Sequence, residues 1–219
     1  LNTIIDQIIY IIIHTRRGKI RLFLKRMLHI PDCRLLPINL NQCQEEIIRF
    51  LEPEEVGSCH GRWEYEKLAR YWKQHYINEF MLLYGENTGY NIIGHINGVH
   101  RIAVNISRQL SQAGVPIDKA LVSGAAAGHD IGKFGCKDTE YERIPYLHYY
   151  YTDLFFKTND MPTIGHIATN HSTWDLELEN LSAESLVLIY ADFRVKGSRD
   201  ASGREIIRIY TLKDSFDVI

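Results

Sequence analysis

The run Gly128-His129-Asp130-Ile131-Gly132-Lys133 places an imidazole, a carboxylate and an ammonium side by side. It follows the apolar, alanine-rich stretch 121–127, so the pair sits where a buried helix should end. A histidine and an aspartate are costly to bury unless both are satisfied. One divalent metal ion satisfies both, and imidazole nitrogen with carboxylate oxygen suits Fe, Mn or Zn better than a purely hard-oxygen ion. Two glycines flank the pair and allow close backbone approach.

Two further residues fit the same chemistry. His100 precedes the pair on the preceding expected helix, and Asp192 interrupts the apolar segment 188–192 on a later one. His100, His129, Asp130 and Asp192 then form a metal site with positions left open for water. Arg194, Lys196 and Arg199 follow closely. The bland reading is a solvated helix end; the functional one is a clamp on phosphate oxygens, with Arg194 or Arg199 favoured because a planar guanidinium binds such oxygens in pairs.

The order His…His-Asp…Asp, with His129-Asp130-Ile131-Gly132-Lys133 at its centre, resembles the HD superfamily of metal-dependent phosphohydrolases over roughly residues 90–200. The resemblance implies an all-α HD-domain bundle in which metal binds phosphate and activates a water. Family spacing selects His100 over His95, which lies on another helical face and is read as supporting or structural, as is His166. The resemblance also implies His148 and His171 as ligands of a second ion, with Asp130 bridging ions about 3.5–4 Å apart. Two ions are expected, Fe or Mn first, with Mg, Co, Ni or Zn as alternatives. His129, Asp130 and Lys133 are the expected catalytic group, and Lys133 is also a phosphate contact.

Within the superfamily, Leu147-His148, Asn170-His171-Ser172-Thr173 and Ile189-Tyr190-Ala191-Asp192 are most similar to bacterial hydrolases that split diadenosine tetraphosphate symmetrically. Trp174 stands where those enzymes have a glycine soon after His171. Arg194, Val195 and Lys196 stand where they usually have a glutamate. The expected function is therefore hydrolysis of a phosphoester or phosphoanhydride in a nucleotide, with a dinucleoside polyphosphate as the nearest match. A cyclic dinucleotide phosphodiesterase and a non-catalytic nucleotide-sensing module are the alternatives.

The elements that must position these residues read as helices. Apolar spacing predicts helices over 2–14, 19–29, 42–51, 64–84, 92–113, 117–128, 147–158, 161–170 and 182–195, the last with Ser182 as N-cap. Residues 31–40 and 53–61 read as loops, and 85–89 as a turn-rich linker. Segments 169–173 and 206–210 are β-rich but short. The division expected is an N-terminal helical region of unknown role over 1–85 and an HD phosphohydrolase domain over 90–219.

With 219 residues, 45% apolar and 24% charged, the chain is ordinary for a globular protein, and its net charge of -2 gives no general pull toward nucleic acid or membrane. Basic residues cluster in 1–30, read as one face of an amphipathic helix. Cys33, Cys43, Cys59 and Cys136 are scattered, without a paired spacing, which disfavours a zinc knuckle or a disulfide framework and points to a reducing cytosol. The isoleucine-rich run 4–13 is too short to cross a bilayer, which takes roughly 20 residues. The chain opens on Leu1, which suggests trimming or a longer parent protein. Oligomeric state has no signature.

Overall fold

A computed structural model describes residues 48–74, 92–171, 181–202 and 205–217. The architecture is mostly helical, as expected from the apolar spacing. Helix α1 is Pro53–Val56, α2 Arg62–Gln74, α3 Ile93–Gln112 and α4 Lys119–Gly128. Two 3-10 turns, Ile131–Phe134 and Asp138–Arg143, lead into α5, Ile144–Thr158. Then come α6, Pro162–Thr169, α7, Ala183–Arg194, strands β1, Val195–Arg199, and β2, Glu205–Ile209, and α8, Leu212–Asp217.

Local chemistry accounts for the ends of these helices. Asp118 accepts the backbone N–H groups of Ala120 and Leu121 and so starts α4, while Ser182 accepts that of Ser185 and starts α7. Pro145 sits in the first turn of α5, which begins three residues earlier than the spacing predicts. The expected loop over 53–61 contains the one-turn α1, and residues 48–51 are not helical. The strand pair departs most from expectation. β2 covers the β-rich segment, but its antiparallel partner β1, pairing Val195 with Ile209 and Gly197 with Ile207, has the weak strand sequence VKGSR.

One apolar core joins Tyr65, Leu68 and Trp72 of α2 to Ile96 and Val99 of α3, Ala125 and Ala126 of α4, Phe156 of α5, Ile164 of α6 and Leu188 of α7. The described part of the expected N-terminal region, 48–74, therefore shares its core with the residues after 92. Three polar ties reinforce the junction. Asp118 accepts the Gly61 N–H at 2.8 Å. Glu64, 2% exposed, accepts the Thr163 and Ile164 N–H groups at the start of α6. The Tyr65 hydroxyl accepts the Leu51 N–H at 2.6 Å and meets the Ser123 hydroxyl at 3.0 Å.

Two glycines set the spacing around the end of α4. A Cβ on Gly128 would lie 2.6 Å from the Phe156 ring; one on Gly132 would lie 2.0 Å from the His148 carbonyl oxygen and 2.5 Å from the Thr152 nitrogen. Only glycine lets α5 come this close, and that approach carries His148 to the His129-Asp130 turn. No described helix is long and apolar enough to cross a membrane.

Candidate metal centre

The structure gathers His95, His129, Asp130, His148, His171 and Asp192 from α3, the α4 end, α5, the segment after α6, and α7. Asp130, 1% exposed, stands between two groups. Its Oδ2 lies 3.6 Å from Nε2 of both His95 and His129. Asp192 Oδ1 completes that side, 3.1 Å from His95 Nε2 and 3.7 Å from His129 Nε2. Asp130 Oδ1 lies 3.6 Å from Nε2 of both His148 and His171 on the other side. Nitrogen and oxygen ligands about 2.0–2.2 Å from one ion stand roughly 3–3.6 Å apart at right-angled to tetrahedral geometry. The observed separations fall in or close to that range.

The protons point the right way. His129, His148 and His171 each direct Nδ1 at a backbone carbonyl, of Ala126 at 2.9 Å, Ile144 at 2.7 Å and Ala168 at 2.6 Å. A carbonyl only accepts, so each Nδ1 carries the proton and each neutral ring presents a bare Nε2 to the centre. His148 and His171 then face each other through two lone pairs at 3.4 Å, which is no hydrogen bond. Asp130 Oδ1 is buried without a hydrogen-bond partner. Unsatisfied acceptors meeting in one place are what a cation would relieve, so these buried groups could hold a metal ion.

Burial pushes His148 and His171 down to about 4 and also lowers His129, keeping all three neutral near pH 7. Burial opposes the charge on Asp130, but Lys133 and the neighbouring histidines outweigh it and hold the carboxyl well below its usual range. Asp192 is held low too: burial opposes its charge, and the His95 hydrogen bond with the surrounding histidines overcomes it.

His100 is the main correction. Its Nε2 is 2.8 Å from the Ser123 hydroxyl and its ring meets Phe50 edge-on, so it belongs to the Tyr65–Ser123 polar chain inside the core. His95 takes its place at the centre. Five residues at about 100° each separate the two by roughly 140° around the helix. The signal was present: Ile96, Val99, His100, Ala103 and Ser107 form one buried stripe of α3, which marks His100 as a core position. His166 is exposed beside Asn170 and apart from the cluster.

Arg194 is the second correction. It is 3% exposed, donates to the Tyr210 carbonyl and the Tyr190 hydroxyl, and clamps the end of β2 to α7 instead of presenting a free clamp for phosphate. Arg199 ends β1, and its side chain lies outside the described residues, as do Cys33, Cys43 and the basic segment 1–30. Lys133 stays at the centre, its Nζ 2.5 Å from Asp130 Oδ2. Lys196 places its Nζ 5.7 Å from the centre of the Phe193 ring. Sequence reasoning also missed Thr152, which is fully buried beside the His129-Asp130 turn.

Comparisons of the chain with known protein families, with curated proteins and with solved structures gave no match.

Proposed function

We propose that this chain is an HD-type metal-dependent phosphohydrolase acting on a phosphoester or phosphoanhydride of a nucleotide. The observation that carries the reading is Asp130. Its two oxygens face separate histidine groups, and the inner one has no hydrogen-bond partner. His95, His129, Asp130 and Asp192 would hold one divalent ion; Asp130, His148 and His171 would hold a second. Such ions supply positive charge toward phosphoryl oxygens and acidify water. Iron or manganese comes first for these imidazole and carboxylate donors, with Mg, Co, Ni or Zn as alternatives.

The chain's own groups do the rest. Asp192, with 24% of its side chain exposed, Lys133 with 18% and His95 with 13% form the open edge, whereas His129, His148, His171 and Asp130 are closed off. A phosphate arriving at that edge meets Lys133, which can turn from Asp130 to a phosphoryl oxygen once the carboxylate is otherwise neutralised. The buried floor excludes bulk water, which strengthens every charge interaction at the centre. Tyr149 stacks on His148 at 3.8 Å and His171 at 4.9 Å between ring centres and walls the inner side. A reducing, cytosolic setting is part of this reading, because the two described cysteines, Cys59 and Cys136, are free.

Metal analysis of purified protein, followed by a phosphate-release screen over dinucleoside polyphosphates, cyclic dinucleotides and nucleoside mono- and triphosphates, tests it. Turnover of at least one class by wild type, lost in His129→Ala and Asp130→Ala, is expected. The enzyme reading falls if wild type turns over nothing that those variants leave untouched. Dinucleoside polyphosphates are the class to try first.

A further inference from the structure

The two halves of the centre stand on different elements: His129 and Asp130 on the turn after α4, His148 on α5. Something must hold them in register. Thr152 lies one helical turn past His148 and is fully buried. Its hydroxyl accepts the Gly132 N–H at 3.1 Å and donates to the His129 carbonyl at 3.2 Å. Both ends of the His129–Gly132 turn are therefore fastened to one side chain of α5. The contact exists because Gly132 has no Cβ, which would lie 2.6 Å from that same hydroxyl.

From this geometry we propose that Thr152 is a positioning residue, which fixes Asp130 Oδ1 against His148 and so sets the affinity of the inner, His148–His171 half for its ion. The proposal rests on the metal reading above. Thr152 touches no donor atom of the centre; it acts through the two backbone groups it ties. Valine has the same shape without the hydroxyl, so it leaves the Gly132 N–H and the His129 carbonyl without this partner while the packing stays. Serine retains the hydroxyl and loses a methyl.

The probe is Mn²⁺ alone, its stepwise binding read by equilibrium dialysis and by the electron paramagnetic resonance of bound and free ion. Wild type should take up two ions. Thr152→Val should keep the first and bind the second about 10- to 100-fold more weakly, the range seen when groups that orient metal ligands are removed. Thr152→Ser should restore it. Ser107→Ala serves as a control for loss of a buried hydroxyl elsewhere, since Ser107 bonds the Val104 carbonyl away from the centre; it should weaken neither ion. If the valine variant does not fold, Thr152→Ala takes its place. Wild type that binds no ion overturns the metal reading and this proposal together. Two ions bound as tightly by the valine or alanine variant as by wild type overturn the proposal alone, as does a failure of serine to rescue. A wild type that holds a single ion does so as well.

Discussion

His148 and His171 point bare nitrogens at each other across 3.4 Å, each keeping its proton on Nδ1 and donating it in a hydrogen bond to a carbonyl of its own segment. The pair is arranged for a third party. Divalent metal should therefore stabilise the folded protein, since it binds the assembled centre and not the open chain. The melting temperature should rise with added Mn²⁺ in wild type and fail to rise in Asp130→Ala, which a thermal-shift titration reads directly.

His95 and His100 should separate cleanly. His95→Ala removes a donor atom, so it should abolish turnover and weaken metal binding while leaving the fold nearly intact. His100→Ala removes the partner of a buried serine hydroxyl and should cost about 1–3 kcal/mol of stability with turnover retained. Denaturant unfolding of both variants, beside their activity, is the measurement.

Acid should unfold the metal-free protein early. Burial pushes His100 down to about 4 from an ordinary 6.5, as it does His148 and His171. Between those values the unfolded chain binds protons that the folded chain refuses, so stability is full above about 6.5 and falls as pH drops toward 4. Each such histidine contributes up to about 3 kcal/mol by that linkage. Below that window Asp130 and Asp192, both held low, add a further loss. Urea unfolding at a series of pH values, with chelator present, should show the slope, and His100→Gln should reduce it by about the share of one histidine in three.

Arg194→Ala should leave the Michaelis constant unchanged and lower stability by about 2–3 kcal/mol, because the guanidinium's hydrogen bonds inside the fold are lost. A Michaelis constant raised tenfold or more at unchanged stability would return Arg194 to the substrate.

Lys133→Ala should bind Mn²⁺ with wild-type stoichiometry and turn over its substrate on the order of 100-fold more slowly, the usual effect of removing one preorganised group from a developing anion. Parallel dialysis and steady-state kinetics would separate those two effects.

Much of this was legible in the sequence because helices announce themselves locally. Apolar spacing placed α3, α4 and α7 within a few residues, with Ser182 as the N-cap of α7. His129, Asp130, His148, His171 and Asp192 are brought together as expected. His100 was misread because family spacing outweighed the buried stripe on which it lies. Arg194 was misread because its partner, the Tyr210 carbonyl, lies just past β2 and is brought to α7 by the strand pair, and β1 has no sequence pattern of its own. Thr152 could not be seen at all: its role exists only once a glycine lets two elements touch.

The Glu64 cap on α6 bears on how the molecule assembles. The carboxylate and the N–H groups it receives are 99 and 100 residues apart in the chain. Contacts at such separations are slow to form, since the chain entropy of closing the loop must be lost before the contact repays it. The helix that leads to His171 therefore gains its cap only when α2 has docked. Nascent chains that have not yet docked α2 would carry the other candidate ligands without a finished site, so any metal uptake would be tied to completion of the fold.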